Sequence, residues 1–380
     1  MDTLSKVVLI RCESYDQDDV RKAVSHGLDL LGGAGQFARP GEKIIIKPNL
    51  LVGEPPDKCI SPYPTVFKAV LEQFKQTGAQ LSFGDSPAIG STQAAARQAG
   101  LLAAADEVGI PVADFQSTQT VPFPEGNLIK QFTLARSVME ADGLISLCKL
   151  KSHALTRITG AVKNQFGCVP GVLKTEFHAS LPNPVIFSRM LVDLNLLIKP
   201  RLFIMDGIIA MEGNGPRNGT PRQMNVILMS TDPIALDATV CRMINLDESL
   251  VETITLGEQY NLGITRVEYL GDPLEQFYTP DFNVNRDKTG AANDRIPAFS
   301  SLMRRYVSPR PTIDREKCTR CGKCEEVCPA HPKALSWADG RKSPPVYDYS
   351  LCIRCYCCQE LCPHEAISVK TPSLGRLISR

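Results

Sequence analysis

Net charge and histidine are both scarce in this chain. Its 380 residues hold 42 Lys and Arg against 41 Asp and Glu, a formal charge of +1, and five histidines. That near-neutrality gives no bulk attraction to nucleic acid or to an acidic membrane surface. No apolar run reaches the roughly 20 residues that span a bilayer as a helix, so no membrane segment is expected. The opening MDTLSKVVLIRCES has a short apolar run between polar residues and does not read as a signal peptide. A cytoplasmic protein that binds neither nucleic acid nor membrane is the expectation. No G-x-G-x-x-G follows the first strand-like segment and no P-loop occurs, which removes the standard dinucleotide and nucleotide cradles. LGGAG at 31–35 follows a helical segment and reads as a helix stop. Helical repeats and low-complexity tracts are also absent.

What is present is an ordinary globular composition, 43% apolar, long enough for a large domain and a small one. Over residues 1–275, strand-like and helix-like segments alternate. KVVLIRC precedes DDVRKAVSHGLDLLGG, and EKIIIKPN precedes SPYPTVFKAVLEQFKQTG. AQLSFGDSP precedes STQAAARQAGLLAAADEVG, and RLFIMDG and MNVILMSTD come later. Such alternation predicts an α/β head with a mainly parallel sheet and flanking helices. Residues 276–310 show no sustained period and read as a connecting segment. Residues 311–380 form a cysteine-rich tail.

Nine of the fourteen cysteines lie between Cys318 and Cys362. Cys318, Cys321, Cys324 and Cys328 follow C-x2-C-x2-C-x3-C and precede Pro329. Cys352, Cys355, Cys358 and Cys362 repeat the pattern before Pro363. Three thiolates on one tight loop reach three irons of a cubane, and the fourth ligand comes from the other repeat. Two 4Fe-4S clusters are therefore expected, one on Cys318, Cys321, Cys324 and Cys362, the other on Cys352, Cys355, Cys358 and Cys328. A zinc site is the rival reading. Cys357 is left over and reads as a bystander thiol, with a ligand swap as the alternative. The tail resembles bacterial two-cluster ferredoxins.

Ligands of open parallel sheets bind beyond the carboxyl ends of the strands. Reading those ends gives Lys47 and Asn49, Asp85 and Ser86, Lys149, Lys151, Ser152 and His153, Asp206, and Ser230 with Asp232. ITGAVKNQFG adds Lys163 and Asn164, as a helix start or as an anion-cradling loop around Gly160. GVLKTEFH adds Lys174, Glu176 and His178, and the glycine-rich MEGNGPRNGTP adds Glu212, Asn214 and Arg217. Lys151, His153, Lys163, Asp85 and His178 are the catalytic candidates. Lysines polarise carbonyls, and histidines shuttle protons. Lys47, Asn49, Ser86, Lys149, Asn164, Lys174, Asp206, Glu212 and Asn214 are the ligand-binding candidates. A small carboxylate, a phosphorylated metabolite or an acidic cofactor tail would suit so many cations. A metal on His153, Asp85, Asp206 and Asp232 is a further option, and no fingerprint identifies a flavin.

KPN at 47–49, GDSP at 84–87, KLKSH at 149–153 followed by TGAVKNQFG, EGNGP at 212–216 and DPIALD at 232–237 resemble, in order, the domain-of-unknown-function 362 family. The match is to its subgroup with a ferredoxin-like tail. The resemblance implies an iron–sulfur protein whose head has no agreed reaction. A more distant likeness is to the head of the nickel-pincer lactate racemases, for which Lys149, Lys151 or Lys163 would be the cofactor-bearing candidates. Three functions follow as expectations. The first is an oxidoreductase passing electrons between the clusters and a small anionic substrate. The second is an electron carrier whose head docks a redox partner protein. The third is a non-redox enzyme with structural or sensing clusters.

Overall fold

The computed structural model describes residues 4–181, 183–287 and 307–378. In the head, β1 (Ser5–Arg11), β2 (Lys43–Pro48) and β3 (Gln80–Phe83) alternate with α1 (Gln17–Leu30) and α2 (Pro64–Lys75). Next come α3 (Thr92–Gln98) and α4 (Leu101–Val108), then the ribbon of β4 (Thr118–Pro122) and β5 (Gln131–Ala135) with α5 (Arg136–Glu140). The long strand β6 (Gly143–His153) turns back as β7 (Arg157–Ile158) and leads to α6 (Gly160–Asn164), α7 (Gly171–Ser180) and α8 (Pro184–Ile198). β8 (Leu202–Glu212), β9 (Thr220–Ser230), α9 (Pro233–Met243), α10 (Glu252–Gln259) and β10 (Val267–Gly271) complete it.

The sheet order is β10-β1-β9-β8-β6-β2-β3, with β7 paired to β6. Every pairing along this path is parallel except those of β9, which runs antiparallel to β1 and β8. The mainly parallel sheet expected from the alternation is thus what forms. Successive strand residues face opposite sides, and two cores result. Val7, Leu9 and Ile45 pack into one with residues of α6, α8 and α9, while Val8, Ile10, Ile44 and Ile46 pack into the other with α1, α2 and α4.

The strand ends differ from the sequence expectation at two places. β6 runs on through Lys149 and Lys151, and β8 through Asp206. The reason is pairing. Lys149 and Asp206 stand opposite each other in the ladder, and Lys149 Nζ lies 2.7 Å from Asp206 Oδ2. With its charges matched, the buried strand pair has no need to stop at them.

In the tail, β11 (Arg310–Ile313) pairs antiparallel with β14 (Ile367–Lys370), and β12 (Leu335–Ser336) with β13 (Val346–Tyr347). Residues 278–287 lie against the head, where Arg157 holds the Asn285 and Asp287 carbonyls. The middle of the expected connecting segment, 288–306, falls outside the described residues. The tail docks on the β8–β9 turn. Arg217 donates to Leu361 O at 3.2 Å, and Asn218 to Gln359 O at 3.2 Å and Cys362 O at 3.1 Å. Asn214 donates to Ile367 O at 2.9 Å, and its own carbonyl groups accept from Gln359 Nε2.

Candidate functional site

Head and tail enclose a cleft of about 770 Å³. Asn49, Asp85, Ser86, Lys151, Lys163, Asn164, Lys174 and His178 reach it from the head, and Cys357 and Glu360 from the tail. Its floor is a buried polar network. Lys47 sits behind the lining, its Nζ 3.1 Å from Asp85 Oδ1 and 3.3 Å from Asn164 Oδ1. Asp85 also accepts from Leu50 N at 2.6 Å and Ser86 N at 2.8 Å, so its charge is fully committed. Asn49 Nδ2 donates to Asn164 Oδ1 at 3.0 Å, and Asn164 Nδ2 to Ser146 Oγ at 2.9 Å. Gly167 makes room for this floor, because a Cβ there would stand 1.7 Å from Asp85 Oδ1 and 2.7 Å from Lys47 Nζ.

Above the floor stand three lysines from three elements. Lys151 Nζ donates to Ile60 O at 2.8 Å, and Lys174 Nζ donates to Ser86 O. Lys163 lies over the Phe166 ring at 5.8 Å. Burial pushes the Lys151 ammonium well below the usual lysine range, and Lys163 adds to the shift. Burial likewise lowers Lys163, and brings Lys174 down to about 8.

The two histidines are held neutral. His153 Nδ1 accepts from Leu155 N at 3.0 Å, which leaves the proton on Nε2, 3.1 Å from Glu360 Oε1. Burial lowers His153 to about 4, and Lys163 acts in the same direction. His178 is stacked on Phe187 and edge-on to Phe166, and burial brings it to about 4 as well. Burial would raise the Glu360 carboxyl, but His153, Lys163 and His178 outweigh it and hold it well below the usual range. Asn49 Oδ1 and His178 Nδ1 are buried without a hydrogen-bond partner among the described residues, which leaves them available to a polar occupant of the cleft.

Several sequence candidates stand elsewhere. Lys149 and Asp206 form an internal ion pair with the Tyr15 hydroxyl, which is stacked on Tyr63. Asp232 caps α9, accepting from Ile234 N at 2.8 Å. Asp85, Asp206, Asp232 and His153 therefore do not converge. Among the described residues, the tail cysteines included, no three metal-ligating side chains are arranged to hold a single metal ion. The turn at Gly160 cradles an internal carboxyl instead: Ala161 N and Val162 N donate to Asp237 at 2.6 and 3.2 Å, and burial raises that carboxyl to about 7. Glu212 accepts from Asn283 N at 2.8 Å, and Asn214 serves tail docking. Glu176 is exposed. Sequence reasoning missed Glu360 and the placement of Cys357. Nothing local in CYCCQEL marks either, because the tail's docking orientation brings them to the cleft.

In the tail, Cys318, Cys321, Cys324 and Cys362 line one small cavity, the crossed set expected from the spacing. Burial pushes the Cys324 thiol up to about 11, and its neighbours Cys362, Cys318 and Cys321 add to the shift. What suits iron ligation is the gathering of four sulfurs around one cavity. Cys358 has Cys355 and Cys352 as electrostatic neighbours and accepts from Tyr347 OH at 3.2 Å. These donors fit a 4Fe-4S cluster.

Two family models match separate stretches of the chain. The family described as domain of unknown function (DUF362) matches residues 44–242, and the 4Fe-4S binding domain matches 311–332 and 345–368. A thylakoid-associated protein of Synechocystis sp. is 35% identical over 266 residues, 70% of this chain and 82% of that protein. The lactate racemase apoprotein of Thermoanaerobacterium thermosaccharolyticum is 12% identical with a TM-score of 0.42, over 64% of this chain and 59% of that one. A protein from Thermotoga maritima is also 12% identical, with a TM-score of 0.38 over 66% and 60%.

Proposed function

On the premise that the chain belongs to the DUF362 family and is an iron–sulfur protein, we propose that it is an oxidoreductase. In this reading two 4Fe-4S clusters relay electrons to or from a small anionic ligand held between head and tail. One observation carries it. Cys357, adjacent in sequence to the expected cluster ligand Cys358, lines the same cleft as Lys151, Lys163 and Lys174. Consecutive Cα atoms are ~3.8 Å apart, so only one peptide unit separates the inner cluster's ligand from the cleft. The cluster supplies electrons without protons. His178, whose Nδ1 is free in the cleft wall, and Glu360, which lines the same cleft, would supply the proton path. Cys321, an exposed ligand of the outer set, would face a redox partner protein. A cytoplasmic location belongs to the proposal, with the thylakoid association of the relative as its alternative.

The test is anaerobic purification, mass spectrometry of any small molecule that leaves with the protein, and its addition to the photoreduced holoprotein. Reoxidation of the clusters by an anion, slowed by Lys151→Met, supports the reading. No such reoxidation, with electron delivery to a protein acceptor unaffected by Lys151→Met, would make the chain an electron carrier instead.

A further inference from the structure

The three cleft lysines are not equivalent. Lys151 and Lys174 each donate to a backbone carbonyl, of Ile60 and Ser86. Lys163 has no hydrogen bond or ion pair among the described residues, and its recorded contact is the Phe166 ring. Lys151 and Lys174 are tied at Nζ by those carbonyls, whereas the Lys163 nitrogen is free to reach a ligand in the cleft. Nearby carboxylates balance the three cations only partly. Asp85 is engaged by Lys47 and two backbone N–H groups, which leaves Glu360 to face the cations. Burial lowers all three amines, and the charge of Lys163 lowers Lys151 further. A desolvated amine beside other cations is the arrangement that makes lysine a nucleophile towards carbonyl carbon.

We propose that Lys163 captures the carbonyl group of an oxo acid as an imine, while Lys151 and Lys174 hold the carboxylate of the same molecule. The proposal rests on the anionic-ligand reading of the cleft and narrows its substrate to oxo acids. In the step, the Nζ lone pair attacks the carbonyl carbon and a C–N bond forms. The C–O bond then breaks, and the oxygen departs as water with the two N–H hydrogens. Nothing is oxidised or reduced. His178, whose Nδ1 has no partner, stands on the wall where a proton must pass from nitrogen to oxygen. Leu51, Ile89, Phe115 and Phe166 provide apolar wall for the carbon chain.

The experiment uses the anaerobic holoprotein with pyruvate or 2-oxoglutarate, sodium cyanoborohydride as trap, and peptide mass mapping. Calorimetric binding of the same acids is measured in parallel on wild type and Lys163→Arg, which keeps the charge but loses the nucleophile. Cluster resonance spectra confirm that the variant is folded. Lys163, whose nitrogen is untied, should carry the reduced adduct in excess over Lys151 and Lys174, whose nitrogens are held by backbone carbonyls. Lys163→Arg should carry none while still binding the acids. Binding without an adduct, or labelling spread evenly over surface lysines, overturns the imine and leaves the anion cleft standing. Neither binding nor adduct overturns both.

Discussion

Acidification from pH 7 to pH 5 should destabilise the folded chain through His178. The ring is 6% exposed, lies parallel to Phe187 with centroids 4.7 Å apart, and meets Phe166 edge-on at 5.7 Å. Its Nδ1 has no acceptor, so a second proton would have nothing to bind. Burial lowers the imidazole from 6.5 to about 4. Between those two values the unfolded chain holds more protons than the folded one. Stability therefore falls as pH falls through this window, and the loss is complete below about 4. The difference amounts to roughly 2 kcal/mol at pH 5 and roughly 3 kcal/mol at the acid limit. His153, lowered to about 4 chiefly by burial, adds a comparable loss. The assay is anaerobic urea unfolding of wild type and His178→Gln at pH 7, 6 and 5. Comparing the two pH dependences cancels the acid lability of the clusters. The variant should lose roughly 2 kcal/mol less than wild type between pH 7 and 5. Identical pH dependences would refute the reasoning and show that the ring is hydrated or paired.

Lys149→Met breaks a buried ion pair and should cost roughly 3–5 kcal/mol in urea melts. It should leave oxo-acid binding unchanged, because Lys149 faces Asp206 and Tyr15 rather than the cleft. Gly160→Ala should lower stability by more than about 1 kcal/mol. The residue has φ +60, and a Cβ would stand 2.4 Å from Asp237 Oδ1; thermal melts that match wild type would contradict this. Arg217→Met removes a donor to Leu361 O and the ion pair to Glu54, so hydrogen exchange at residues 357–361 should quicken while cluster spectra persist. Removing iron with a chelator should quicken exchange in the same segment, because the cleft wall from Cys357 to Leu361 lies within the ligand run; unchanged exchange would count against that coupling.

The alternation of strands and helices was legible because apolar periodicity is local, and Cys362 does line one cavity with Cys318, Cys321 and Cys324. Strand ends were less legible. Lys149 and Asp206 interrupt apolar runs and read as exits, yet each neutralises the other inside the sheet. The same ambiguity affected MEGNGPRNGTP. Its polar side chains bind backbone carbonyls of the tail, and sequence alone does not distinguish such a ligand from a small molecule. Lys151, Lys163, Lys174, His178 and Asp85 do gather at one cleft. Glu360 completes it from beyond residue 350, a long-range placement that no local pattern encodes.

The most direct measurement is a potentiometric titration of the clusters, followed by electron paramagnetic resonance, with and without 2-oxoglutarate. In the proposed reading an anion in the cleft would lie beside the inner cluster, and linkage is reciprocal: if reduction weakens anion binding, the anion lowers the potential. The account predicts a lower potential for one cluster of two, abolished by Lys151→Met. Two potentials indifferent to the anion, with binding shown independently, would place the ligand away from the clusters and contradict it.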